Sequence, residues 1–231
     1  EKGHLWDMAL HLLAQMPLAK LQPNVVTYSA VISACEKAQH WQMALEVLGE
    51  MTSRGVTPNY ITYSAAISAC EMGHVWQWAF KLLEEMRGQG IELGLVTCNA
   101  LISSCEKGGQ LERALGVLEM MRRSGPTPSV VTYNAVLKAC GRQLHWAVAL
   151  QLLGDMAASE LEPDSISCHT ALAVCEASGC PESPIIAQKL QLLLAEGLAS
   201  NSAGEGGGQG QEWVSGIDAM AAAGGVDSAL G

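Results

Sequence analysis

The chain copies itself every 35 residues, and a register kept that strictly leaves few folds open. Displacing the sequence by one interval carries Cys35 onto Cys70, and further intervals reach Cys105, Cys140 and Cys175. Met16 recurs as Met51, Met86, Met121 and Met156, and Thr27 as Thr62, Thr97, Thr132 and Ser167. Ala9 returns as Ala44, Ala79, Ala114 and Ala149. Independent columns that share one period without slippage mark a tandem array, and a period of this size belongs to solenoids of small stacked units.

One unit, residues 25–59, shows what is being stacked. Thr27 reads as a helix N-cap, because its hydroxyl can accept from an orphan amide of the first turn. Behind it Tyr28, Val31, Ile32 and Cys35 fall at i, i+3, i+4 and i+7, one face of a helix. The stretch Ala38-Gln39-His40 breaks that face, and a second helix starts at Trp41 with Ala44, Leu45, Leu48 and Met51 on its apolar side. Gly55 stands where a helix needs a left-handed residue to stop, and Pro58 forbids continuation; Gly90 and Gly125 repeat the stop. Each unit is therefore a hairpin of two short helices that buries its apolar faces only against neighbours. The expected fold is all-α: an α-solenoid, a superhelix of antiparallel helical hairpins.

The same register sets the organisation. Residues 1–24 match the second half of a unit, with Trp6, Ala9, Leu12, Leu13 and Met16 aligning with Trp41, Ala44, Val47, Leu48 and Met51. The sequence thus reads as a fragment or trimmed product, with any targeting segment upstream. Full repeats occupy 25–59, 60–94, 95–129 and 130–164. The second ends irregularly, with Leu93 where the others have Pro58, Pro128 and Pro163. Residues 165–199 form a degenerate repeat or cap: the hinge is Gly179-Cys180-Pro181, and a re-punctuated second helix starts at Ser183 with Pro184 in its first position. Residues 200–231 are Gly/Ala-rich, and SNSAGEGGGQGQ within them has too little apolar area to order, so a flexible tail is expected.

Composition narrows the functional classes. The chain is 49% hydrophobic with one Phe, so the core is built from aliphatic residues, Ala, Met and Cys. No apolar run approaches the roughly 18 residues a membrane helix needs, and no membrane partner is expected. Equivalent cysteines of adjacent hairpins should lie roughly 8–10 Å apart, one helix-packing distance, whereas a disulfide needs Cα atoms within roughly 7 Å. Buried thiols facing the next hairpin follow. Cys168, His169, Cys175 and Cys180 cluster near the last repeat but contain no C-x-x-C pair, so no metal site is assigned. No phosphate-binding loop, deaminase signature or nucleophile elbow occurs. Neither an enzyme nor a cofactor nor a small-molecule substrate is expected.

The phrase V-T-Y-[SN]-A, the C-E-K that closes the first helix, the A-L-x-L/V-L-x-x-M of the second and the final G-x-x-P-[ND] resemble the pentatricopeptide repeat family, in its plain 35-residue subclass, over roughly residues 1–198. The resemblance implies a sequence-specific single-stranded RNA binder of mitochondria or chloroplasts that takes one base per repeat in RNA processing, stability, editing or translation, with other RNA-processing proteins as further partners. It implies that the fifth and last residues of each repeat choose the base: Ser29 with Asn59, Ser64 with Gly94, Asn99 with Ser129, and Asn134 with Asp164. It makes Val26, Ile61, Val96 and Val131 the wedges beside the bases, and Lys37, Lys107 and Arg142 the phosphate contacts. In the fifth repeat it puts His169 in the reading position without a partner. The family's usual code then gives A-x-C-U, 5′ to 3′, with the second repeat a spacer because Gly94 reads nothing and Met72 interrupts the basic column. The column Trp6, Trp41, Trp76 and Trp146 is assigned to the core and not to stacking.

Charge is the objection. The net charge is −10; residues 25–164 hold 10 basic and 14 acidic side chains, so much of the excess acid lies in the flanks. Nucleic-acid binding usually draws on a basic surface. The competing expectation is a protein–protein interaction scaffold without RNA binding, since α-solenoids also present concave surfaces to peptides.

Overall fold

A computed structural model describes residues 5–179 together with Gln188; among them every regular element is a helix. The helices are α1 (Leu5–Leu18), α2 (Val25–Lys37), α3 (Trp41–Ser53), α4 (Tyr60–Met72), α5 (Trp76–Gly88), α6 (Leu95–Lys107), α7 (Leu111–Ser124), α8 (Val130–Gln143), α9 (Trp146–Ala158) and α10 (Ser165–Ala177). The all-α, hairpin-built class expected from the repeat is what the chain adopts. The second helix expected after Ser183 and the tail 200–231 lie outside the described residues.

The helices fall into two compact units that divide between Thr127 and Pro128. In the first, α1 packs on α2, α2 on α3 and α4, α4 on α5 and α6, and α6 on α7. In the second, α8, α9 and α10 pack on one another. The i, i+3, i+4, i+7 face of the repeat is the core: Tyr28, Val31, Ile32 and Cys35 are all buried, as are Ala44, Val47, Leu48 and Met51 opposite them. Leu45, expected on that side, is only half-buried, and Val47 takes its place. Each large aliphatic buried in this way contributes about 1.5–3 kcal/mol. The exception is α1, where Leu13 alone is buried and Leu12 is 59% exposed, although its equivalent Val47 is 3% exposed.

Helix starts differ from expectation. The N-cap is not Thr27 but Asn24, in extended conformation, and Thr27 is the third helical residue. Asn59, Ser129 and Asp164 do the same for α4, α8 and α10. In α2 the Asn24 side chain accepts from the Thr27 amide at 3.1 Å, while the Thr27 hydroxyl accepts from the Asn24 amide at 3.4 Å. This reciprocal box satisfies two orphan donors at once, which a threonine acting alone cannot do. In α6 the N-cap is Gly94, and no side chain caps the helix.

Corners also recur with the period. Gly55 and Gly90 are left-handed, at φ 75° and 70°, and stop their helices as expected. Gly125 does not: its φ is −106° and ψ −168°, because Pro126 follows it and a residue before proline is pushed to extended backbone. The inner hairpin corner is a second left-handed column, comprising Gln39, His74, Gly109, Leu144 and Gly179. Three of these are not glycine, so composition gave no hint of the corner.

The tryptophans close the seam between hairpins. Trp41 lies against Gly73 and Trp76 against Gly108, glycines that end the next first helix, where a Cβ would overlap the indole. The Arg113 guanidinium sits 4.7 Å from the Trp76 ring centroid. The assignment of this column to packing therefore holds in the first unit.

Two measurements check this account. Leu144 is 46% exposed at φ 58°, so Leu144→Gly relieves backbone strain at little cost in packing. It should raise stability by about 0.5–1 kcal/mol, read as an upward shift in thermal denaturation. Burial pushes the Cys70, Cys105 and Cys140 thiols up to about 12. At pH 8 all three should resist alkylation in the native chain and react at once in denaturant.

Candidate nucleic-acid interface

The second residue of each first helix points away from the core. Val26 is 70% exposed, Ile61 58%, Val96 64% and Val131 67%. The fifth repeat continues the column with Ile166, 55% exposed, which was missed because only the reading position was carried into that repeat. Five β-branched aliphatics in water at one place in the repeat gain nothing for the fold.

Three residues further on stand the positions expected to read the base. Ser29 is 6% exposed and its Oγ lies 2.8 Å from the Thr62 Oγ1 of the following first helix. Thr62 in turn donates to Asn59 Oδ1 at 3.0 Å. The fifth and last residues of the first repeat are thus brought together through the capping threonine between them. Ser64 repeats the contact, 2.7 Å from Thr97 Oγ1, but the chain ends there because Gly94 has no side chain. Asn99 is half-buried and Ser129 caps α8. In the fourth repeat the pair is direct: Asn134 Nδ2 donates to the Asp164 oxygens at 3.1 and 3.3 Å, and the Ser167 hydroxyl, with one proton to give, lies 2.6 Å from Asn134 Oδ1 and 2.8 Å from Asp164 Oδ1. His169 is exposed and its Nδ1 lies 2.7 Å from the Ser165 carbonyl. Asn134 and Asp164 thus meet directly and Ser29 meets Asn59 through Thr62, and Ser29 and Asn134 turn toward the next first helix more than toward solvent. The capping Thr62, Thr97 and Ser167 hydroxyls belong to the site, and sequence reasoning had given that column only a helix-start role.

The basic column is divided. Lys37 is exposed. Lys107 donates to Glu71 Oε1 at 3.1 Å and to the Glu71 carbonyl at 3.4 Å, across adjacent hairpins. Arg142 is exposed in the second unit. Burial pushes the Glu36 carboxyl up; Lys37 opposes that shift and the charge of Glu71 adds to it. The negative charge therefore reaches into the repeats beside the expected phosphate contacts.

Asp164 shows what the pairing is worth. Burial acts to raise its carboxyl, but hydrogen bonds from the Ser167 amide and hydroxyl and from Asn134 outweigh burial and hold it below the ordinary value. A depressed folded-state value means stability that is present above the unfolded value and is lost as pH falls through the folded one. The wild-type chain should lose stability in the acid limb below about pH 4. Asp164→Asn should flatten that limb in pH-dependent melting by lowering the melting temperature at neutral pH, while leaving the acid value close to wild type.

Comparison with known proteins places this geometry. Family profiles match without a gap from residue 23 to 161: a PPR repeat family profile over 23–72, a pentatricopeptide repeat domain profile over 81–143, and a PPR repeat profile over 61–91 and 131–161. A search of curated proteins found no match. Among solved structures, the chain resembles the pentatricopeptide repeat protein PPR10 in complex with an 18-nucleotide psaJ RNA element, at 26% identity and a TM-score of 0.63. That match covers 92% of this chain and 34% of the other, so the chain spans about a third of the solved protein. PPR10 from maize solved on its own matches at 25% identity and a TM-score of 0.62, over 92% of this chain and 29% of that one. The PPR domain of Arabidopsis thaliana protein-only RNase P 1 in complex with tRNA shares the fold at 15% identity and a TM-score of 0.63, over 81% of this chain and 95% of that one. With its 35-residue hairpins, capped first helices and profile matches, the chain belongs to the pentatricopeptide repeat family.

Proposed function

We propose that this chain is a single-stranded RNA-binding module that takes one base per repeat and carries no catalysis of its own. The observation behind this is the exposed column Val26, Ile61, Val96 and Val131, each three residues from a polar fifth position. An apolar wedge gains by entering between unstacked bases, and a polar neighbour can then meet a base edge; stacking of this kind is worth about 1–3 kcal/mol per base. The solved PPR10 complex, which holds an RNA element on a related array, supports the reading.

Base choice follows from donors and acceptors. Asp164 only accepts, so with Asn134 it suits a base that presents an N–H, such as uracil. By the usual code of the family, Ser29 with Asn59 takes adenine and Asn99 with Ser129 takes cytosine, giving A-x-C-U. The Ser29 hydroxyl keeps an acceptor lone pair beyond its bond to Thr62, so a base can approach without breaking that bond. Phosphate contacts fall to Lys37, Lys107 and Arg142, and the Lys107 bond to Glu71 opens to allow it. We place this binding in organellar RNA processing, stability, editing or translation, in the company of other RNA-processing proteins. The near-closure of Ser29 and Asn134 and the net charge of −10 favour the second reading, a protein-binding scaffold.

Binding of labelled A-N-C-U oligomers against scrambled ones, by fluorescence anisotropy at two salt concentrations, separates the two. The RNA reading expects the matched oligomer to bind about tenfold more tightly, with a shallow salt dependence of about −0.7 per phosphate contact. Val131→Ser should weaken binding severalfold at unchanged melting temperature. Equal affinity for matched and scrambled oligomers sinks this reading and leaves the scaffold.

A further inference from the structure

The second repeat departs from its neighbours at two positions, and those two positions touch. Its last residue is Gly94, where the others end in Asn59, Ser129 and Asp164. Its first residue is Tyr60, where the others begin with Val25, Leu95, Val130 and Ser165. The phenol lies on the glycine: a Cβ at residue 94 would overlap the Tyr60 hydroxyl and stand 2.9 Å from its Cζ and 3.1 Å from its Cε2. The aromatic ring thus fills the space that a last-position side chain would fill. A side chain at residue 94 and the Tyr60 ring in this position exclude one another.

The ring does not substitute for the missing cap, since no side chain caps α6. Its hydroxyl has no hydrogen-bond partner among the described residues, although Tyr28 and Tyr63, the buried tyrosines of unit one, both have theirs. Tyr60 is 37% exposed and forms a wall of an open depression of about 340 Å³ with Ile91, Glu92, Leu93 and Gly94. It precedes Ser64 by one helical turn, so the two residues share a face of α4. The wedge Ile61 follows it directly.

We propose that Tyr60 is the specificity-determining partner of Ser64, so that the second repeat reads a base instead of acting as a spacer. The ring offers a π-face, which favours the larger surface of a purine. The free hydroxyl donates or accepts toward the base edge, the part that Asn59 and Asp164 take in their own repeats. The inference rests on the RNA-binding reading above and refines it at one nucleotide.

The test uses the whole 231-residue chain and oligomers A-N-C-U in which N is A, G, C, U or an abasic nucleotide. Wild type should bind the two purine oligomers about tenfold more tightly than the abasic one, with pyrimidines between. Tyr60→Ala should abolish that spread at the second nucleotide while the first, third and fourth keep theirs. Tyr60→Phe keeps the ring on Gly94 and should preserve the purine-over-abasic step but lose the ranking of A against G. An unchanged second-nucleotide spread in Tyr60→Ala, with the other three positions still discriminating, overturns this inference alone. Indifference at all four positions in wild type overturns the RNA reading and this inference together. Should Tyr60→Ala lower the melting temperature, Tyr60→Phe decides: an unchanged ranking of A against G rules out the hydroxyl.

Discussion

At Thr62, and again at Ser167, one hydroxyl connects what would otherwise be separate parts. Thr62 takes the backbone amide of Asn59, donates to its side chain, and meets Ser29 from the preceding first helix. It starts a helix, ties two hairpins together and links the two residues that face a base in the proposed mode. A helix begun this way is completed by its neighbour as well as by itself, as expected for an array whose units are not stable alone. Thr62, Thr97, Thr132 and Ser167 are all fully buried, so the network operates where a hydrogen bond left unmade is costly.

That network also explains why the residues proposed to read bases are not simply exposed. A polar side chain facing water is free to adopt many rotamers and loses them on binding a base. Ser29 and Asn134 are already held by Thr62 and Ser167, so their orientation is set before any ligand arrives. The exposed partner in the arrangement is the apolar wedge. Recognition in this mode divides between a preorganised polar position and an apolar residue whose surface is covered only by the ligand.

Electrostatics work against a simple backbone-driven association. Lys107 is engaged with Glu71, and Glu36 stands close enough to feel the same charge. Affinity in the proposed mode therefore comes more from base insertion and edge contacts than from counterion release, which distinguishes it from a basic nucleic-acid surface.

The sequence by itself determined the hairpin, its 35-residue register, the buried faces around Ile32, Cys35, Ala44 and Met51, and the family. Periodicity is a one-dimensional signal, and core packing obeys it wherever the same shape must recur. It also picked out the column Val26, Ile61, Val96 and Val131, which the structure leaves exposed, although Ile166 in the fifth repeat went unnoticed. The extended Gly125 was open to sequence reasoning and was missed, because the following Pro126 overrides what glycine permits. Only the tertiary structure decided the rest. It moved the cap from Thr27 to Asn24, because capping is reciprocal and depends on a backbone conformation that residue type does not fix. It turned Ser29 inward, tied Lys107 to Glu71, and laid Tyr60 on Gly94. Each of these is a contact between residues about one repeat apart, created when one hairpin settles on the next, and no pattern within a single repeat encodes it.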